Sequence, residues 1–181
     1  MNTEPEYTRR KMYAGIGSRA TPPPVLAVFA KIAGRLERRD YTLRSGAATG
    51  ADTGFEMGVL KAEHKEIYLP WKGFNNSASK LHTISTRAFE MAADFHPRWN
   101  SCSSAARKFM ARNCYQVLGL GLTDPVDFII CWTDGGKIVG GTGQALRIAE
   151  EYKIPVINFG SESLYYSPME ALGKLVNGEG L

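Results

Sequence analysis

The chain has 181 residues, of which 44% are hydrophobic and 22% charged, and its formal net charge is +4. These values exclude an intrinsically disordered chain, because the hydrophobic content is that of an ordinary globular domain. The small positive charge favours anionic ligands, although it falls well short of a dense polybasic surface. No apolar run approaches the roughly 20 residues that a membrane-spanning helix needs, so we expect no membrane partner.

The cysteines and histidines predict neither a metal site nor a disulfide framework. Cys102, Cys114 and Cys131 are odd in number and lack CxxC spacing, whereas disulfide-rich and zinc-binding chains carry regularly spaced pairs. The three histidines show no metal-ligand spacing. The N-terminus is polar and has no apolar signal segment. We therefore expect a reduced, cytoplasmic protein without a metal or cofactor.

The first third of the chain twice repeats a strand, a loop of small residues and a helix. A strand from Lys11 to Ile16 runs into the glycine loop of Gly15 to Ala20, and a helix follows from Pro22, since proline is well tolerated in the first turn. A second strand, Tyr41 to Arg44, leads into the loop Ser45 to Asp52 and then into a second helix. This repetition is typical of a βαβ unit.

The middle of the chain is less regular. A third strand is predicted from Glu66 to Leu69, and a mixed region from Trp71 to Trp99 includes a helix over Ile84 to Ala93. The next helix is predicted over Ser101 to Leu118. The segment from 71 to 99 is an insertion for which we hypothesise the role of a lid that selects the ligand.

The last third completes a Rossmann-like pattern. The apolar run from Val126 to Trp132 is typical of a central parallel strand that is buried on both faces. A loop of small residues, Gly140 to Gln144, opens the next helix, and a strand (Ile154 to Phe159) and a helix (Met169 to Val176) follow. We predict one α/β domain, a doubly wound and mainly parallel sheet flanked by helices, with its core at about residues 11–160.

Three of the loops carry small residues directly after strands. In a parallel sheet such loops meet at the carboxyl edge, and the helix N-termini that follow supply free N–H groups for an anion. Phosphate is therefore the expected ligand group. A dinucleotide dehydrogenase is disfavoured because Ser45 and Gly46 stand where an acidic residue would bind the ribose.

The same loops resemble the SLOG superfamily, which joins the DNA-processing protein A (DprA/Smf) family with the Lonely Guy nucleotide phosphoribohydrolases. The matching segments are GSR at Gly17 to Arg19, SGAATGADTGFE at Ser45 to Glu56 and GGTGQALRIA at Gly140 to Ala149. The nearer resemblance is to the Rossmann-like domain of the DprA family, which has GSR after its first strand and SG-A-x-G-x-D after its second.

This resemblance implies further ligand contacts and a partner. Asp52 matches an aspartate that lines the family's site, and Arg112-Asn113 resembles its RN pair before the central strand. A homodimer formed through helices beside the sheet is also implied. Trp132, at the end of the central strand, is a candidate for stacking on a base. The predicted ligand-binding residues are Gly17, Ser18, Arg19, Ser45, Gly46, Gly50, Asp52, Arg112, Asn113, Trp132, Gly140, Gly141, Thr142 and Gln144.

The resemblance also indicates a missing catalytic group. The Lonely Guy hydrolases carry PGGxGTxxE, whose glutamate acts with an upstream arginine in N-glycosidic cleavage. Aligning Gly141-Thr142 with that GT puts Ala145 where the glutamate belongs. Glu56 is expected to be a solvated helix residue, so no catalytic residue is assured. The catalytic candidates are Asp52, Glu56 and Arg112.

Three functions follow from these observations. The first is binding of a nucleotide or nucleotide-derived small molecule through its phosphate. The second, which the DprA resemblance implies, is binding of single-stranded DNA in recombination, with basic side chains along the backbone. The third is cleavage of a nucleotide N-glycosidic bond by a displaced carboxylate, Asp52 or Glu56.

Overall fold

The structure, a computed structural model, describes residues 9–161 and 167–178. Within these ranges the elements alternate as the sequence predicts. The strands are β1 (Lys11–Gly17), β2 (Tyr41–Ser45), β3 (Lys65–Ile67), β4 (Phe128–Trp132) and β5 (Val156–Asn158). The helices of eight or more residues are α1 (Pro23–Glu37), α2 (Ala51–Gly58), α3 (Thr86–Phe95), α4 (Ser104–Leu118), α5 (Gly140–Glu151) and α6 (Pro168–Val176).

The strands form one parallel sheet in the order β3-β2-β1-β4-β5. The order reverses at β1, whose neighbours are β2 and β4. In the register, Ala14 of β1 lies beside Arg44 of β2 on one side and Ile129 of β4 on the other. The predicted Rossmann-like α/β fold is therefore confirmed. A reversal of strand order of this kind opens a crevice at the carboxyl edge of the sheet.

Two apolar layers cover the sheet, one on each face. On β1, Met12, Ala14 and Ile16 point into the layer that holds α3, α4 and α5, whereas Tyr13 points into the layer of α1, α2 and α6. This alternation follows from the two-residue period of a strand. Burial on both faces explains why β4 reads as a continuous apolar run.

Several boundaries differ from the sequence prediction. The last strand is only three residues long and starts at Val156. Helix α1 begins one residue later than predicted, at Pro23. No helix in the described part of the chain is both long and apolar enough to cross a membrane.

Candidate functional site

A cavity of about 520 Å³ opens at the carboxyl edge of the sheet, above β1 and β4. Its volume lies within the range of about 300–1,000 Å³ that is usual for small-molecule sites. The predicted ligand residues that line it are Gly17, Ser18, Arg19, Asp52, Arg112, Asn113, Gly140, Gly141 and Thr142. The three loops that were separate in the sequence thus converge on one space.

Hydrogen bonds join the loop after β1 to the loop after β2. The carbonyl oxygen of Ser18 accepts a hydrogen bond from the backbone N–H of Ala51 at 3.3 Å and from the hydroxyl of Thr21 at 2.7 Å. Gly50 has φ +88°, and a Cβ there would lie 2.5 Å from the same carbonyl oxygen. Gly50 therefore acts by allowing the close approach that sets the position of Ser18 and Arg19, and it does not itself line the cavity.

Arg112 is the central buried charge of the site. Its guanidinium Nη1 lies 3.6 Å from the carboxylate Oδ2 of Asp52 and donates to the backbone oxygen of Tyr68 at 3.2 Å. The Nε2 of Gln116 also donates to Asp52, at 3.5 Å. A Cβ on Gly46 would overlap Nη1 of Arg112. The glycine of the second loop thus leaves the space that the guanidinium fills.

Two carboxyl groups beside Arg112 have raised pKa values. Burial raises the pKa of Asp52 from 3.8 to about 6, although Arg112 and the backbone amide of Ala48 oppose the rise. Burial and then the charge of Asp52 raise the pKa of Glu56 from 4.5 to about 7. Burial lowers the pKa of Arg112, and Asp52 opposes this. Nearby carboxylates and a buried guanidinium therefore share one desolvated region, in which protonation is coupled.

The N-terminus of α5 forms the opposite wall. Gly140, Gly141 and Thr142 are in its first turn, where backbone N–H groups lack intrahelical partners. The side chain Nδ2 of Asn113 donates to the backbone oxygen of Gly141 at 2.9 Å and so joins α4 to this turn. Ala145 also lines the cavity. The position that matches the Lonely Guy glutamate therefore faces the site but supplies no carboxylate.

Aromatic rings that the sequence motifs do not include form the outer wall of the cavity. Phe109 and Phe74 line the cavity, and their ring centroids lie 5.3 Å apart with an interplanar angle of 78°. Trp71 packs edge-on against both rings, at 5.2 Å from each. Phe109 precedes Arg112 by three residues on the same helix, so helical spacing was the signal that could have found it.

Several predicted ligand residues do not reach the cavity. Ser45 is buried and its hydroxyl donates to the backbone oxygen of Gly15 at 2.7 Å. Gln144 is fully buried, and its Nε2 donates to the backbone oxygen of Met110 at 3.0 Å. Trp132 packs against the apolar layer of α1, α2 and α6 and is not among the residues that line the cavity. The structure thus does not bring these three side chains into the cavity, because side-chain direction on a strand or helix sets which layer a residue enters. Gly46 and Gly50 likewise stay outside the lining and act by admitting Arg112 and Ser18.

Glu56 also departs from its expected place. Its Oε1 accepts a hydrogen bond from the backbone N–H of Ala47 at 2.8 Å, and the side chain is partly buried. The expectation of a solvated helix residue was therefore wrong. Of the catalytic candidates, Asp52 and Arg112 line the cavity, whereas Glu56 stabilises the second loop from behind.

Comparison with known proteins supports a relationship in fold. Neither protein-family models nor curated proteins give a match. Among solved structures, DNA processing protein A from Helicobacter pylori, described for its unique single-stranded DNA binding mode, matches with a TM-score of 0.54 and 18% sequence identity. The match covers 95% of this chain and 74% of that protein's chain. This chain has a DprA-like fold.

The DprA-like fold accounts for the position of the cavity. It lies where the order of the parallel strands reverses, which is the usual ligand position in open α/β sheets. The residues that line it include two arginines, Arg19 and Arg112, two aspartates, Asp52 and Asp134, and the polar residues Ser18 and Thr142. This donor-rich set, beside an aromatic wall, is chemically suited to an anion that carries a planar ring.

Proposed function

We propose that the protein binds a nucleotide or nucleotide-derived small molecule in this cavity, through its phosphate. The observation that carries the proposal is the convergence of Ser18, Arg19 and the first turn of α5 on one space. Arginine forms bidentate hydrogen bonds with phosphate, and a helix N-terminus adds N–H donors and the positive end of its dipole. Each of these groups is present at the same edge of the sheet.

The aromatic wall is where the base of such a ligand would lie. Phe109 and Phe74 are on the outer side of the cavity, and the guanidinium of Arg112 lies 5.9 Å from the ring centroid of Phe109. Phe74 and Asn75 belong to the segment from 71 to 99 and line the cavity. We therefore propose that this segment selects the ligand. It does so by presenting a ring face and an amide beside the phosphate loops.

The test is thermal unfolding of the protein with nucleoside mono-, di- and triphosphates, ADP-ribose-type molecules and the matching nucleosides. A ligand that binds only the folded state stabilises it by about 2.7 kcal/mol at one hundred times its Kd. We expect phosphorylated ligands to raise Tm and nucleosides to have little effect. Arg19→Gln should weaken this response, whereas Arg35→Gln, an exposed residue on α1, should not. Absence of any shift with phosphorylated ligands would contradict the proposal.

A second candidate is binding of single-stranded DNA. The fold match to a DprA protein described for single-stranded DNA binding favours this candidate, as does the exposed position of Arg19 at the cavity. Affinity for short oligo(dT) would then fall steeply with salt, because counterions are released from the phosphates. A mononucleotide enclosed in the cavity would be much less salt-dependent. A salt titration with both ligands distinguishes the two functions.

Catalysis stays a hypothesis that the same samples can test. Asp52 lines the cavity and has a pKa of about 6, which is a suitable value for a general acid or base. If the wild type releases free base and Asp52→Asn does not, the protein is an N-glycosidase that uses Asp52. Base release that persists in Asp52→Asn and Glu56→Gln would exclude both carboxyl groups as the catalytic group.

The predicted homodimer is tested separately, by measuring the molar mass of the protein with light scattering.

A further inference from the structure

A second group of cationic side chains lies beside the cavity, around the chain between α3 and α4. Arg98 is in this connection, Arg107 is in the second turn of α4 and Arg147 is in the middle of α5. The group adjoins the cavity wall: Arg107 is three residues before the lining residue Met110 on α4, and Nη1 of Arg147 lies 3.5 Å from the position that a Cβ on Gly143 would take, next to the lining residue Thr142. We call Arg98, Arg107 and Arg147 the arginine cluster.

Two members of the arginine cluster are held in place by the same short segment. The guanidinium of Arg107 lies 5.3 Å from the ring centroid of Trp99 and donates to the backbone oxygen of Trp99 at 3.4 Å. The Nε of Arg147 donates to the backbone oxygen of Phe95 at 2.8 Å. Both side chains are thus partly ordered before any ligand binds, which lowers the entropic cost of recognition.

The same side chains retain most of their donors. Arginine has several N–H donors in a fixed fork, and the hydrogen bonds to Trp99 and Phe95 use few of them. The Nε of Arg107 is buried without a hydrogen-bond partner. Across the described residues, the ion pairs involve other arginines, and no carboxylate pairs with the arginine cluster. Among the described residues, these three guanidiniums therefore have no ion-pair partner of their own.

Histidine and thiol groups lie between the arginines. The backbone N–H of Arg98 donates to Nδ1 of His96 at 3.2 Å, and burial, followed by the charges of Arg147 and Arg98, lowers the pKa of His96. The Sγ of Cys102 lies 3.6 Å from the Nδ1 of His96. Cys102 is partly exposed, whereas Cys114 and Cys131 are buried. Cys102 therefore provides a chemical probe within the arginine cluster.

We propose that the arginine cluster binds the phosphodiester backbone of a single-stranded nucleic acid whose terminal nucleotide occupies the cavity. Preordered, uncompensated guanidiniums beside a nucleotide-sized site suit phosphates that continue beyond the first one. This inference rests on the second candidate function, and it assigns the path of the strand to α4 and α5. A mononucleotide lacks the further phosphates for which the arginine cluster is proposed.

The test compares salt dependence in two matched double variants. Arg98→Gln/Arg107→Gln removes two charges from the arginine cluster, and Lys31→Gln/Arg35→Gln removes two exposed charges from α1, on the opposite face of the sheet. For single strands, each lost phosphate contact lowers the slope of log K against log salt by about 0.7. We expect the first variant to bind short oligo(dT) more weakly, with a slope lower by about 1.4. The α1 variant should keep the wild-type slope, and both should respond to dTMP as the wild type does.

A second readout uses Cys102 in the unmodified protein. Bound oligo(dT) should slow alkylation of Cys102 by iodoacetamide, and dTMP should not. If the double variant does not fold, the slope is measured with Arg98→Gln alone. The hydrogen bonds of Arg98 in the described structure use its backbone atoms, so this single change should leave the fold intact.

The outcomes separate the two proposals. An unchanged slope in the arginine variants, or no binding of oligo(dT) by the wild type, would overturn the assignment of the arginine cluster while leaving nucleotide binding in the cavity intact. A lower slope in the arginine variants with no response to any mononucleotide would support the arginine cluster and reject the small-molecule function.

Discussion

Gly46 and Arg112 occupy adjoining space at the centre of the site: a Cβ on Gly46 would overlap the guanidinium Nη1 of Arg112. Arg112 is buried, and its nearest carboxylate is that of Asp52, at 3.6 Å. The second glycine loop and the buried cation therefore depend on each other. In sequence, Gly46 resembles a phosphate-binding glycine. In the structure, its missing side chain leaves room for Arg112, which itself lines the cavity.

Gly46→Ala is expected to displace Arg112 and to reduce both stability and ligand affinity. Overpacking of this kind costs about 1–3 kcal/mol, which urea unfolding would measure. Gly173→Ala is the control, since a Cβ there meets nothing within 4 Å and alanine favours the helix by up to about 1 kcal/mol. If Gly46→Ala binds and unfolds as the wild type does, Arg112 does not require the glycine.

Stability should fall as pH rises through the range in which Asp52 and Glu56 ionise. The folded-state pKa values, about 6 and about 7, lie above the ordinary values of 3.8 and 4.5. The folded protein therefore binds more protons than the unfolded chain in this range, and stability is lost between about pH 4 and pH 7. Urea unfolding at a series of pH values would measure the slope.

Asp52→Asn provides the matched variant for this pH dependence. It removes the carboxyl group with the lower of the two pKa values and also relieves the charge that raises the pKa of Glu56. We expect a smaller loss of stability between pH 4 and pH 7, by roughly 1–3 kcal/mol, since one pKa unit corresponds to about 1.4 kcal/mol. An unaltered pH profile would show that Asp52 ionises with an ordinary pKa.

Phe109→Ala is expected to weaken binding of nucleotides by about 1–3 kcal/mol, the usual contribution of a ring stacked on a base. Ribose 5-phosphate has no base, so its affinity should stay unchanged. Phe109→Tyr keeps the ring and should keep nucleotide affinity. Isothermal titration of both ligands checks the prediction, and an equal loss for both would show that Phe109 supports the phosphate loops instead.

Gln144→Leu should leave ligand affinity unchanged. Gln144 is fully buried, its Oε1 has no hydrogen-bond partner and its Nε2 donates to the backbone oxygen of Met110. A leucine of similar size removes an unsatisfied polar atom and one hydrogen bond, and these opposing effects should leave stability within about 1.5 kcal/mol of the wild type. Thr142→Val, two residues earlier and at the cavity, should weaken phosphate binding. A loss of ligand affinity in Gln144→Leu would show that Gln144 contributes to the ligand site.

The sequence by itself determined the parallel α/β fold and the edge of the sheet at which the cavity opens. Both depend on local patterns: strands that read as apolar runs, glycine loops directly after them, and helices that begin with free N–H groups. This is why Ser18, Arg19 and the first turn of α5 were predicted at one site and line one cavity. Their positions follow from the order of the elements.

Only the tertiary structure decided which polar and aromatic side chains face that cavity. Gln144 and Trp132 are close in sequence to the loops but point into the apolar layers, whereas Phe109 and Phe74 come from distant segments and meet at 5.3 Å. The pairing of Arg112 with Asp52 likewise joins residues of two helices. Such contacts depend on how helices pack across the sheet and on the direction of each side chain, which a local pattern does not specify.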